Sequence, residues 1–375
     1  MIYRYRISVL FILLLGFKLA RAQSAEGASS IEMSEIKAIE SQQLTKSSYE
    51  NAAEFWKIRT SMNNKSEEAW LNYYKAVRYS DYTDRSRKIS SSTLSKLQEI
   101  IGEIERNVGE SYAFHYASYL QQNRSSSSFA HLENAFLLKP EESELWDDML
   151  CKSVIEKKNP QIEFFARKLS ETSIYSAAEL EYNQNVLNSV EQNAILVTNG
   201  NVDTYPLIIL QQTQNFRKDV RIICLDWFNN STYLRDLANS DSKLFGKLII
   251  NQPYESLKSI AKNSNNKSLY LGLTIPGDEI GDLSKDLYCT GLAMKYSNTA
   301  LSNLISLETN WNQFFSKTFL TQSEPINRNY ILPLVLLNDY YKESGHSEHA
   351  AAIQKLLQTI GANFEMQSTL QKHMD

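Results

Sequence analysis

The sequence predicts an α/β plus all-α protein, in which TPR-like helical repeats flank a Rossmann-like domain with an open, mostly parallel sheet. Glycine (12) and proline (7) are scarce among the 375 residues, as is typical of a largely helical chain. Two short apolar runs, 194–197 and 220–225, enclose a segment of helix length, which indicates a βαβ unit. Trp146 follows Tyr112 by 34 residues, which is the spacing of a tetratricopeptide (TPR) repeat.

The first 22 residues predict a signal peptide. They hold a basic start, an apolar stretch and an A-x-A site, at Arg4 and Arg6, residues 7–17, and Ala20-Arg21-Ala22. The apolar stretch is shorter than the roughly 20 residues that a membrane-spanning helix needs. We therefore expect an exported protein that is not transmembrane after cleavage, periplasmic or outer-membrane-associated or extracellular in a Gram-negative bacterium. An uncleaved anchor stays open, and residues 23–30 are expected to be a disordered leader.

Composition excludes some partners and cofactors. The net charge is −4 and no long basic run occurs, so we expect no nucleic-acid partner. Neither a CxxC motif nor a Cys/His cluster occurs, so we expect no metal and no other cofactor. Cys224 lies in an apolar run and is expected to be a small core residue. Whether it pairs with Cys289, or whether Cys151 pairs, stays open.

Residues 31–191 predict a TPR-like helical domain. Ser66 precedes two glutamates and an amphipathic stretch, as a helix cap does. Helices are expected at 111–122 and 128–138 as one repeat, and at 143–156 and 160–171 as a degenerate second one. The repeat positions are occupied by Tyr112, Tyr119, Leu132, Ala135, Pro140 and Trp146. The pattern returns over 323–375, where helices 330–343 and 347–359 are expected.

The α/β domain is expected over 192–322. Beyond the two opening strands, further strands are predicted at 248–250, 268–274 and 292–296. Helices are predicted at 204–215, 233–239, 254–263 and 298–311. Alternation of this kind is typical of a mostly parallel sheet with helices on its faces.

A family resemblance rests on the run AILVTNGNVDTYPL at 194–207. It resembles the signature ILFTNGDNDTFPLW of the soluble C-terminal half of a bacterial family of large membrane proteins of unknown function. Their N-terminal half is protein-O-mannosyltransferase-like. The runs at 217–225 and 291–296 are also similar to that family. No segment resembles the membrane half, so transferase activity is not implied. Asn201 stands where the signature has an acidic residue.

Polar residues follow the predicted strands at the edge where ligands of open α/β sheets bind. The candidate ligand-binding residues are Thr198, Asn199, Gly200, Asp203, Asp226, Trp227 and Asp278. Carboxylates and amides would bond sugar hydroxyls, and the indole would stack on a sugar ring. We give more weight to a local role, in which Asp203 caps a helix beginning at Thr204 and Gly200 permits the turn. No catalytic residue is assigned.

The sequence thus predicts an exported bacterial envelope protein that is more a binding or scaffold module than an enzyme. The TPR-like helices and the α/β domain would hold a protein or glycan partner. The alternative is a carbohydrate-active or small-ligand-binding site at the carboxyl-terminal edge of the sheet.

Overall fold

The structure is a computed structural model that describes residues 35–37, 44–82, 89–122, 125–264, 267–364, 366 and 370. The predicted signal peptide and leader lie outside the described residues. The chain divides into two compact units, one ending at Lys158 and one beginning at Asn159. We call them the helical unit and the sheet unit, and we describe each by itself.

The helical unit is built from successive amphipathic helices. Its described helices are α1 (Lys46–Met62), α2 (Glu67–Tyr82), α3 (Ser91–Val108), α4 (Tyr112–Gln121), α5 (Phe129–Leu138) and α6 (Trp146–Ile155). Helix α2 packs against α1, α3 and α4, and it buries a continuous stretch of its residues. The Ser66 hydroxyl accepts from the Ala69 amide at 3.2 Å, so the predicted cap at the start of α2 is confirmed.

The sheet unit combines helices with five short strands. Its described helices are α7 (Asn159–Ser170), α8 (Ala177–Asn188), α9 (Asn201–Gln214), α10 (Ser231–Ser240), α11 (Ser242–Phe245), α12 (Pro253–Asn263), α13 (Gly277–Ile280), α14 (Asn303–Thr309), α15 (Ile331–Glu343) and α16 (Ser347–Asn363). The strands are β1 (Ile195–Thr198), β2 (Arg221–Cys224), β3 (Leu269–Gly272), β4 (Leu287–Cys289) and β5 (Ala293–Tyr296).

The strand order is β2-β1-β3-β5-β4. The central strand β1 runs parallel to both β2 and β3, with Ile195 opposite Arg221 on one side and Leu269 on the other. Both β1 and β3 are buried along their whole length. Strand β5 pairs antiparallel with β3 and with β4. The carboxyl ends of β1, β2 and β3 therefore meet at one edge, which we call the carboxyl edge.

The predicted fold class, a Rossmann-like and mostly parallel sheet domain flanked by TPR-like repeats, is wrong. The described chain is mostly helical, and its small sheet is mixed. Only three residues separate β4 from β5, and so short a connection can join antiparallel strands only. The expected strand at 248–250 does not form: residues 248 and 249 are irregular, a turn begins at 250, and the Ile249 amide donates to the Ser256 hydroxyl at 2.8 Å.

The helices on either side of the sheet are also not separate flanking repeats. Helices α7 and α8 pack against α9, and α14 packs against α15, so all of them belong to the same unit as the sheet. Asn185 of α8 donates to the Tyr330 hydroxyl at 2.8 Å and to the Ser316 carbonyl at 2.7 Å. Buried bonds of this kind join the early and late helices into one core.

None of the helices in the described part of the chain combines the length and the apolar character needed to cross a membrane.

Candidate functional site

The turn after β1 brings two strand ends close together. Helix α9 begins at Asn201, directly after Gly200, whose φ is +78°. A Cβ at Gly200 would lie 2.7 Å from Oδ2 of Asp226, which follows β2. The turn therefore depends on glycine twice, for its backbone conformation and for the space that the Asp226 carboxylate fills.

Asp203 is not the cap that the sequence predicts. Because α9 begins three residues before the predicted Thr204, Asp203 lies inside its first turn. Its carboxylate is buried and accepts a hydrogen bond from the Thr274 hydroxyl, in the loop after β3. The Asn199 amide donates to the Thr274 carbonyl at 3.1 Å. Two candidate residues thus join the ends of β1 and β3.

Thr198 has a structural environment at the same edge. Its hydroxyl is buried, lies 2.8 Å from the Thr204 hydroxyl and donates to the Ile223 carbonyl at 3.2 Å. These contacts tie the end of β1 to α9 and β2.

An acidic group stands at the exposed side of the carboxyl edge. Asp226 and Asp278 are exposed, and Glu279 is half-buried on α13. Burial, followed by the negative charges of Asp226 and Asp278, raises the pKa of Glu279 to about 7. Its Oε2 atom is buried and has no hydrogen-bond partner. We call Asp226, Asp278 and Glu279 the acidic edge.

The candidate set from the sequence did not include Glu279. It directly follows Asp278 in a short Gly-Asp-Glu-Ile run, and this adjacency is the only local signal that could have included it. Its half-burial depends on tertiary packing, which the run itself does not encode. Carboxyl groups with a strongly raised pKa are concentrated at functional sites.

Trp227 belongs to the core beneath the edge. The side chain is only 2% exposed, and its ring packs against Tyr205 (6.2 Å between centroids) and edge-on to Tyr233 (5.4 Å). Its indole Nε1 has no hydrogen-bond partner. The covered ring faces leave no indole surface for a sugar to stack on in this conformation.

Thiols and metal ligands do not add to the edge. Cys151, Cys224 and Cys289 are buried thiols, and burial raises the pKa of Cys224 and of Cys289 to about 12. Cys224 is a core residue as predicted, and the Cys224–Cys289 disulfide that stayed open is not formed. Within the described ranges, no group of three or more His, Cys, Asp or Glu side chains is placed to hold a metal ion.

A cleft of about 540 Å³ lies elsewhere in the sheet unit, near the residues that precede the parallel strands. Its charged lining is already paired: Lys295 bonds Glu191, and Arg217 bonds Asp219 with Nε and Oδ1 2.9 Å apart. The carboxyl edge, by contrast, holds an acceptor atom without a donor.

Residues 179–244 match the family described as TMEM260-associated domain 2. The matched stretch runs from α8 through β1, α9, β2 and α10 into α11, and it includes Asn199, Gly200 and Asp226. Asp278 and Glu279 lie outside it. The match is consistent with the resemblance to the protein-O-mannosyltransferase-like family, over less than a fifth of the chain. No curated protein and no solved structure matches the chain.

Proposed function

We propose that this protein is an exported binding module of the bacterial cell envelope, periplasmic or at the outer surface, which holds a hydroxyl-rich ligand, a glycan, at its carboxyl edge. The observation that carries the proposal is the acidic edge. Three carboxyl groups from the ends of β2 and β3 come together there, and one of them has a buried oxygen without a donor.

A glycan can donate hydrogen bonds to the carboxylates of this edge. Sugar hydroxyls donate hydrogen bonds to carboxylates and accept them from amides, so one ring can bond several groups at once. A buried acceptor without a donor destabilises the protein, because it has lost its water and gained no hydrogen bond. A hydroxyl placed against Oε2 of Glu279 would remove that penalty, which favours binding.

The family match supports the same choice of ligand. The matched residues form the β1–α9–β2 part of the edge, and Gly200 there leaves space for the Asp226 carboxylate. The resemblance links this part of the chain to proteins with a glycosyltransferase-like half. A glycan is therefore favoured over other hydroxyl-rich ligands.

Saturation-transfer NMR with mannose, glucose, N-acetylglucosamine and their oligosaccharides tests the proposal. We expect at least one sugar to give a signal that Asp226→Asn and Asp278→Asn each reduce at least fivefold. Glu348→Gln is the matched control, because it removes one exposed carboxylate at the start of α16. No signal from any sugar, or equal signals in all variants, would show that the acidic edge binds no glycan.

A second function, carbohydrate hydrolysis, is favoured by one observation. A carboxyl with a pKa of about 7 beside two further carboxyls has the environment of a general acid in glycosidases. Glu279 would then protonate the leaving oxygen. Release of nitrophenol from nitrophenyl glycosides tests this, and activity should fall as pH rises through about 7. Sugar binding without release, at every pH from 5 to 8, would leave the binding function alone.

A further inference from the structure

A second binding feature lies in the helical unit. Residues 35–37, which we call the strap, contact the helices without being helical themselves. Ile36 is only 3% exposed, while Glu35 and Lys37 on either side of it are exposed. An apolar side chain pointing inward between two exposed neighbours is the pattern of an extended peptide lying in a groove.

The groove holds the strap by its backbone. The Ile36 amide donates to Oδ1 of Asn72 at 2.6 Å, and the Lys75 ammonium donates to the Ile36 carbonyl at 3.2 Å. Both side chains are on α2 and are almost completely buried. Asn72 is oriented by its own amide, which donates to the Glu68 carbonyl at 2.9 Å. Contacts to backbone groups tolerate many sequences, whereas the buried position selects an apolar side chain.

The groove also contains charged and polar groups to which the strap supplies no hydrogen bond. Lys75 bonds Glu144, and its Nζ lies 5.4 Å from the centroid of the Tyr116 ring. The Tyr112 hydroxyl and Oε1 of Glu144 are buried without a hydrogen-bond partner. Burial raises the pKa of Glu144 although Lys75 lowers it, and the negative charges of Glu142 and then Glu35 add to the increase. The strap thus brings a carboxylate toward a groove in which one oxygen of Glu144 already lacks a donor.

We propose that this groove, formed by Asn72, Lys75, Tyr112 and Glu144, is a recognition site for an extended peptide of a partner protein, and that the strap is its tethered occupant. The partner peptide presents a branched apolar residue in the place of Ile36. A basic residue precedes it, in the place of Glu35, because a cation would meet Glu144 where the strap places a carboxylate. This proposal concerns the helical unit and does not depend on glycan binding at the acidic edge.

The strap makes binding competitive. A partner peptide binds only the fraction of molecules whose groove is open, so its apparent dissociation constant rises as that fraction falls. Weakening the strap should therefore strengthen binding of the peptide. A groove that is merely part of the core would show no such effect, since nothing could leave it.

Fluorescence anisotropy with a synthetic peptide of residues 31–40 carrying Glu35→Lys tests this on the full chain. We expect the Ile36→Ser chain to bind this peptide at least about tenfold more tightly than the wild-type chain does. The same peptide with Ile36→Asp should not bind. Ile58→Ser, which replaces an exposed isoleucine of α1, is the matched control and should behave as wild type. A folded Ile36→Ser chain that binds neither peptide would overturn the proposal.

Hydrogen exchange of the wild-type chain gives a test that needs no variant. The Ile36 amide should exchange faster than the amides of α2, because the strap opens without unfolding of the unit. Addition of the Glu35→Lys peptide should accelerate this exchange further while leaving α2 protected. If the Ile36 amide exchanges only together with α2, the strap is a fixed part of the core and the proposal is wrong.

Discussion

Two regions of this protein bury a carboxyl group, and the charges beside the two carboxyl groups differ in sign. In the helical unit, Glu144 pairs with Lys75, a cation that is only 1% exposed. At the carboxyl edge of the sheet unit, Glu279 faces Asp226 and Asp278, and two like charges take the place of a counterion. In both, burial is the largest cause of a raised pKa.

The difference separates a buried carboxylate with a counterion from a half-buried one without a counterion. In a buried ion pair, removing either member leaves the other unpaired in low dielectric. A half-buried carboxyl without a partner remains able to accept a hydrogen bond or a proton from outside the protein.

The largest effect is expected for Lys75→Met. The substitution leaves Glu144 buried without its cation, so the free energy of unfolding should fall by about 3–5 kcal/mol. Urea denaturation measures this loss. Adding Glu144→Gln should restore part of it, because the unpaired charge is then also removed.

The control for Lys75→Met is Lys46→Met. Lys46 pairs with Glu50 at 4.0 Å, and both side chains are mostly exposed. Its loss should change the free energy of unfolding by less than about 1 kcal/mol. Equal effects of the two substitutions would mean that Lys75 does not neutralise a buried charge.

An intermediate effect is expected where Asp203 meets Thr274. Asp203→Ala removes the acceptor for the Thr274 hydroxyl and should lower the free energy of unfolding by about 1–3 kcal/mol. Thr274→Val removes the donor. If their hydrogen bond dominates both effects, the double variant should lose clearly less stability than the sum of the two single losses. If Thr274→Val left the free energy of unfolding unchanged, Asp203 would instead act within helix α9 alone.

Local patterns predicted much of what surrounds this bond. The β1–α9–β2 order follows from apolar runs and a helical period, and β1 is shifted by one residue only from its expected bounds. The Asp203–Thr274 bond joins residues 71 apart, so no local pattern contains it. The cap was assigned to the wrong residue because α9 begins at Asn201, and the residue before it, Gly200, has a positive φ and no side chain that could cap the helix.

The features that the sequence did not predict are all products of packing. Strand β4 is three residues long and carries no run that distinguishes it from a loop. The strap precedes the helices and has no period of its own, and Ile36 is placed by side chains 36 and 39 residues later. Glu279 is half-buried by its neighbours. Such features depend on long-range contacts, which propensity and periodicity do not encode.

A smaller effect, with a defined pH dependence, is expected for Glu279. Its pKa is about 7 in the folded protein and 4.5 for an ordinary exposed glutamate, so the folded state binds the proton more tightly than the unfolded state does. The stability that protonation contributes is complete below about pH 4.5 and is lost as pH rises through about 7. Wild type should therefore be less stable at pH 8 than at pH 5.

Glu279→Gln should remove this dependence. Because Glu279 is partly open to solvent, the variant should gain roughly 1–2 kcal/mol over wild type at pH 8 and little at pH 5. Urea denaturation at both pH values measures the difference, with Glu348→Gln as the exposed control. The opposite trend, with the variant gaining stability only at pH 5, would contradict the raised pKa.

Small effects of opposite sign are expected for two glycines. Gly200→Ala forces a Cβ into positive φ and to 2.7 Å from the Asp226 carboxylate, so it should lower the free energy of unfolding by about 1–2 kcal/mol. Gly102 lies inside α3, and no heavy atom lies within 4 Å of a Cβ built there. Gly102→Ala should therefore raise the free energy of unfolding by about 0.5–1 kcal/mol, since alanine loses less backbone freedom on folding. Thermal unfolding of both variants measures the contrast. If Gly200→Ala were as well tolerated as Gly102→Ala, the turn would not need glycine, and Asp226 would not be held against it at the acidic edge.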